Sequence, residues 1–226
     1  MTGWGVKVFR FCRGVGKTGG QMISAKTSAG CRLLQIDRPD KANALTGAML
    51  EDLRNAVSDS TARVLILTGA GRVFSAGADL EEMTAGLGAN PEWELLSSAI
   101  AAFPGLTIAA LNGTLAGGAM GMALACDLRI AVPTAQFFYP VMRLGYRPQP
   151  SDPGRLAALI GPSRAKMILL AGQRIGADDA LAWGLIDRIA APETLIDTAM
   201  SLAGDALAAD PGHAAALKRM TNGEAP

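Results

Sequence analysis

Two glycine-rich turns are the parts of this 226-residue chain whose residue types and spacing could do chemistry. The first is Arg72-Val-Phe-Ser-Ala-Gly-Ala-Asp-Leu80, and the second is Leu111-Asn-Gly-Thr-Leu-Ala-Gly-Gly-Ala-Met-Gly121. Each follows an apolar run that reads as a buried strand. Small residues there let backbone N–H groups stay unpaired and a ligand come close. The second turn opens a helix, whose N-terminus adds the equivalent of about half a positive charge. Two such N–H groups aimed at one oxygen make an oxyanion hole. That device contributes roughly 3–4 kcal/mol per donor when charge builds on a carbonyl oxygen.

Other chemistries have little material. His213 is the single histidine, so a Ser-His-Asp or Cys-His arrangement would have to use it. Cys12, Cys31 and Cys126 lack metal-ligand spacing, and an odd count suits a reducing cytoplasm. Gly14-Val-Gly-Lys-Thr18 resembles part of a phosphate loop, but Phe11 stands where the first glycine is needed and no apolar strand precedes it.

The elements that must position the turns follow from periodicity. Strands are expected just after Met22 and over Cys31–Asp37, Arg63–Thr68, Leu106–Leu111, Leu128–Val132 and Ile186–Ala190. Thr46 caps a helix to Val57 with Met49, Leu50, Leu53 and Val57 on one face. Further helices are expected over Pro91–Phe103, Gly117–Cys126, Ser151–Ile160, Ser163–Ala171, Ala177–Ala182, Glu193–Ala208 and Pro211–Met220. Phe74–Asp79 reads as a loop. Strands alternating with helices imply an α/β fold with a mainly parallel sheet.

Composition sets the class. Half the residues are apolar and 18% are charged, which suits a packed domain rather than a disordered chain. With 21 basic and 20 acidic residues there is no global field to draw nucleic acid. No apolar run is long enough to span a membrane. Residues 1–21 carry Lys7, Arg10, Arg13 and Lys17 and no acid. They read as a basic N-terminal extension, expected to be disordered by composition, ahead of a domain covering 22–226.

Several phrases together resemble the crotonase superfamily, which contains the enoyl-CoA hydratases and isomerases. They are Asp37-Arg-Pro, Asn43-Ala-Leu45, Leu67-Thr-Gly69, Phe74-Ser-Ala-Gly-Ala-Asp-Leu80, Asn112-Gly113, Gly117-Gly118, Cys126-Asp127 and Ala177-Asp-Asp-Ala-Leu-Ala-Trp-Gly-Leu-Ile186. The resemblance covers about residues 23–220. It implies a crotonase (ClpP-like) fold of repeated ββα units with C-terminal helices, assembled as a homotrimer or hexamer. It implies an acyl-CoA thioester as ligand, with coenzyme A part of the substrate and no permanently bound cofactor. Matched by position, the N–H donors would be those of Ala76 and Gly118. Contacts to CoA would fall at Lys41, Ala42, Ala44, Ala76, Ala78, Asp79, Leu80, Gly117 and Gly118, although Asp79 also reads as a helix N-cap.

The chain departs from that pattern at two places. Family hydratases carry two glutamates, and the matching positions here are Gly121 and Val141. Neither moves a proton, and each lost acid–base group costs about 10²–10⁴-fold. Candidate substitutes are Asp152, which also reads as a helix-start residue; Tyr139 and Tyr146, which also read as packing; and Glu82, or its neighbour Glu81, after the first turn. Arg143 and Arg147 could meet phosphate or read as surface charge. Family members also extend beyond the equivalent of Leu217-Lys-Arg219, so a shortened C-terminal helical region is expected. These features leave three expectations: enolate chemistry such as isomerisation on an acyl-CoA, a non-catalytic acyl-CoA carrier, or a structural subunit.

Overall fold

A computed structural model describes residues 22–223. The basic N-terminal segment and the phosphate-loop-like stretch within it lie outside the described residues.

The first half builds the main sheet. Strands β1 (Ile23–Ser28) and β2 (Cys31–Ile36) form a hairpin, and helix α1 (Gly47–Ser58) follows with Thr46 Oγ1 accepting from the Met49 N–H at 3.2 Å. Met49, Leu50, Leu53 and Val57 are the buried face of α1, as the spacing requires. Strand β3 (Val64–Gly69) is buried at every residue, the mark of a strand covered on both faces.

From β3 onward one pattern runs three times. A long strand in the main sheet is followed by a short strand in a second sheet and then by a helix. The first unit is β3, β4 (Val73–Ser75), then α2 (Leu80–Thr84) and α3 (Glu92–Ala102). The second is β5 (Leu106–Leu111), β6 (Thr114–Ala116) and α4 (Met120–Ala125). The third is β7 (Leu128–Ala131), β8 (Gln136–Phe138), then α5 (Val141–Leu144) and α6 (Asp152–Leu169). The chain closes with β9 (Ile175–Gly176), α7 (Ala177–Trp183), β10 (Arg188–Ile189), α8 (Leu195–Leu202), α9 (Gly204–Ala208) and α10 (Pro211–Thr221).

The main sheet has the order β1-β2-β3-β5-β7-β10, parallel apart from the first hairpin. The second has the order β4-β6-β8-β9, parallel apart from β9. The second sheet decides function. Because β4 and β6 pair in parallel, Ser75 beside Leu115, the turns that leave their C-terminal ends must lie side by side.

The short strands of that sheet replace what reads as loop: residues 74 and 75 of the expected Phe74–Asp79 loop belong to β4. Two or three residues carry too little alternation to announce a strand. The expected Gly117–Cys126 helix begins as a 3-10 turn over Gly117–Ala119. The expected Glu193–Ala208 helix is broken at Ala203, which joins α8 to α9. The two helices expected on either side of Gly161 are present, with Gly161 at φ 80° marking the break inside α6.

Candidate functional site

The turn after β4 is fastened to the segment after β2. The Ala76 N–H donates to Ala42 O at 3.0 Å, Leu45 N–H to Gly77 O at 2.8 Å, and Asp79 N–H to Leu45 O at 2.8 Å. Ser75 Oγ donates to Asn43 O at 2.8 Å and accepts the Gly77 N–H at 3.1 Å. Gly77 has φ 95°, and a Cβ there would lie 2.9 Å from Ala116 O. Only glycine permits that conformation together with that close approach to the second turn.

These bonds correct the first donor. The Ala76 N–H is consumed by Ala42, so it is not free to meet a ligand. The left-handed Gly77 turns the chain, and Ala78, whose neighbours bond to Leu45, points its N–H away from that segment. It makes no hydrogen bond among the described residues. Gly118 lies in the first turn of its helix, where the N–H has no intrahelical acceptor. Ala78 and Gly118 line one cavity of about 430 Å³ with Leu80, Met83, Trp93 and Tyr139. Val141, Leu144, Tyr146 and Arg147 line its other side. Trp93, which sequence reasoning passed over, packs its ring 3.2 Å from where a Gly118 Cβ would be and donates Nε1–H to Leu87 O.

The residues expected at CoA are brought together in part. The bonds above hold Lys41, Ala42 and Ala44 beside Ala76, Ala78 and Leu80. Lys41 and Leu80 are exposed, Leu80 at 82%. The Asp79 carboxylate is engaged structurally: Oδ1 caps α2 and Oδ2 accepts from Arg38 at 2.6 Å. The Arg38 guanidinium holds that carboxyl below the usual range. Asn43 was legible only as part of a phrase. It is fully buried at φ 55°, accepts the Arg38 N–H on Oδ1 and donates Nδ2 to Ala70 O and Val73 O. Those three bonds join both edges of the first turn.

The acid–base candidates separate clearly. Glu82 faces away: its Oε2 accepts the Gly47 N–H at 2.7 Å, and it does not line the cavity. Tyr146 lines the rim, 41% exposed. Asp152 is not a cap, since Ser151 holds that position and the Asp152 side chain turns inward. It is 1% exposed. Its Oδ2 accepts from the Tyr139 hydroxyl at 2.9 Å, and its Oδ1 is buried without a partner. A Cβ on Gly121 would lie 2.7 Å from that Oδ1. The carboxylate therefore occupies the space that a side chain at 121 would fill. Glu94 fixes the start of α6 by accepting from both Ser151 N and Oγ. Burial pushes the Asp152 carboxyl up to about 6, and burial with the nearby carboxylate pushes the Tyr139 hydroxyl up as well. Burial raises the Cys126 thiol to about 12, so it is no nucleophile.

Three ββα units with neighbouring glycine turns define a protein of the crotonase superfamily. The enoyl-CoA hydratase/isomerase family model matches residues 26–225, and the chain belongs to that family. It is 34% identical to a probable enoyl-CoA hydratase, echA6, of Mycobacterium leprae, across 75% of this chain and 72% of that one. It is 34% identical to 4-chlorobenzoyl coenzyme A dehalogenase-1 of an Arthrobacter species, across 74% of this chain and 65% of that one. The crystal structure of enoyl-CoA hydratase subunit I from Geobacillus kaustophilus superposes with a TM-score of 0.81 at 33% identity, covering 90% of this chain and 82% of that one.

Proposed function

We propose that this protein binds an acyl-CoA thioester with the carbonyl oxygen between the Ala78 and Gly118 N–H groups, and that it stabilises the enolate formed when an adjacent carbon loses a proton. The observation that carries this reading is the pair of unpaired N–H groups on one apolar cavity. Removing a proton beside a thioester places negative charge on the carbonyl oxygen, and pre-aimed donors lower that barrier without reorganising. Lys41, Ala42, Ala44 and Leu80 sit where the CoA moiety leaves the cavity in this reading. The names of the relatives, a hydratase and a dehalogenase acting on CoA thioesters, support the ligand class.

Hydration is not the reaction favoured. It needs one group to activate water and one to protonate carbon, and Gly121 and Val141 supply neither. Moving a double bond from the 3- to the 2-position needs a single carrier that removes a proton at one carbon and returns it at another. A carboxyl is at hand in Asp152. A non-catalytic acyl-CoA carrier is the second reading, favoured by the burial of Asp152 away from the cavity wall. Association into trimers belongs to the same proposal: Met142, Leu144 and Leu170 stand 62%, 55% and 59% exposed, which suits burial against a neighbouring subunit.

The thioester reading is tested by calorimetric titration with butyryl-CoA and with its thioether analogue, which lacks the carbonyl oxygen. Weaker binding of the thioether by at least about 10-fold, the worth of one net hydrogen bond, is expected. Equal affinity would remove the oxyanion hole from the proposal.

A further inference from the structure

Tyr139 lines the cavity beside Ala78 and Gly118, whereas Asp152 lies behind it and does not reach the wall. Among the described residues, the phenol is the only side chain of the cavity lining that hydrogen-bonds the carboxylate, at 2.9 Å. The other carboxylate oxygen stands unpartnered over Gly121. A buried unpaired carboxylate oxygen is costly to a fold, so its retention points to use. The absence of a side chain at 121 is what makes room for it.

We infer that Tyr139 and Asp152 form the proton-transfer unit of this site, with the Tyr139 hydroxyl meeting the acyl carbon and Asp152 taking and returning the proton through it. This rests on the thioester reading above. The step balances as follows. The substrate C–H pair of electrons becomes the enolate, the proton passes to the Tyr139 oxygen, and the proton already on that oxygen passes to Asp152 Oδ2. Tyr139 ends unchanged and Asp152 ends neutral. The reverse transfer at the far carbon of the dienolate restores the carboxylate and yields the shifted double bond. No oxidant, reductant or water is consumed. Tyr139 is the catalytic residue, and Asp152 acts through it.

The groups that face Asp152 are few. Tyr139 and the Arg155 guanidinium favour its charged form, and Glu94 from α3 opposes it. Arg155 is itself held by Ser97 Oγ at 3.0 Å, and Glu94 by Ser151. Ionisation of the carboxylate is required for the forward step, so turnover rises with pH through the Asp152 titration and then levels.

The test compares wild type, Tyr139→Phe and Asp152→Asn with but-3-enoyl-CoA in deuterated buffer. Affinity is read by calorimetry, and deuterium incorporation and isomer ratio by chromatography with mass detection, across pH 5 to 8. Thermal unfolding checks that each variant is folded. Both variants are expected to bind within about 3-fold of wild type and to lose on the order of 10²-fold or more of exchange and isomerisation. The rise of the wild-type rate with pH is expected to vanish in Asp152→Asn. Folded variants that bind and exchange at the wild-type rate would overturn the pair while leaving the thioester reading standing. Wild type that binds the ester but exchanges no deuterium would also overturn the pair, in favour of a carrier. Wild type that does not bind the ester would overturn both.

Discussion

A charge on Asp152 is expensive, and the cost has a direction that can be measured. The carboxyl titrates at about 6 in the folded protein against an ordinary value of 3.8. The native state therefore holds a proton between those values that the unfolded chain has released. Stability from this group is present below about pH 4 and is lost as pH rises through about 6. The loss amounts to roughly 3 kcal/mol at 1.36 kcal/mol per pH unit. Urea unfolding at pH 4.5 and pH 7.5 is expected to show about 2 kcal/mol of that fall in wild type, the rest being lost already below pH 4.5, and to lack it in Asp152→Asn; equal stability of wild type at the two pH values would mean the carboxyl is not desolvated. At this scale the sequence was half legible. Asp152 was visible as the nearest acid, but its position beside Ser151 and Pro153 equally described a cap. Which of Ala76 and Ala78 offers its N–H was not legible at all, because the answer depends on Gly77 at φ 95° reversing the chain between them. Gly118 needed no such information, since a residue that opens a helix has a free N–H by construction.

The elements explain why those residues meet. Pairing of β4 with β6 sets the two turns side by side, and Asn43 ties the first of them to β3 and β4. Asn43→Ala would strand two part-buried backbone groups, the Arg38 N–H and Ala70 O, and leave Val73 O to Asn112 alone. A loss of roughly 3 kcal/mol is expected by chemical denaturation, together with weakened acyl-CoA affinity; an unchanged midpoint would show that the turn holds itself. Helices α4 and α6 make a second such test. Gly121→Glu would drive its side chain into Asp152, at the cost of roughly 1–3 kcal/mol for overpacking. Combining it with Asp152→Gly is expected to restore most of the lost melting temperature, and additive losses would contradict the steric exchange between the two positions. The long strands and helices behind these contacts were legible from apolar runs and from the Thr46 cap. The second sheet was not, because β4, β6 and β8 are three residues each and owe their existence to pairing rather than to local preference.

The whole molecule places one apolar cavity beside two N–H groups that have no partner among the described residues, and Gly121 and Val141 bring no acid to it. Its exposed Met142, Leu144 and Leu170 are expected to be covered by association, and light scattering on the purified protein should give three times the chain mass or a multiple of it; a monomer at micromolar concentration would refute that. The fold class was legible from phrases scattered along nearly the whole chain, since those phrases mark turns whose backbone geometry the fold cannot do without. The reaction was not, because it depends on which acid reaches the cavity and through what. The most direct measurement is therefore incubation of the protein with a mixture of saturated, 2-enoyl, 3-enoyl and carboxyacyl CoA esters, each followed by chromatography that separates isomers with mass detection. Interconversion of 2- and 3-enoyl esters without gain of water is expected. Rapid addition of water to crotonyl-CoA, at about 1 s⁻¹ or faster, would contradict the account of Gly121 and Val141.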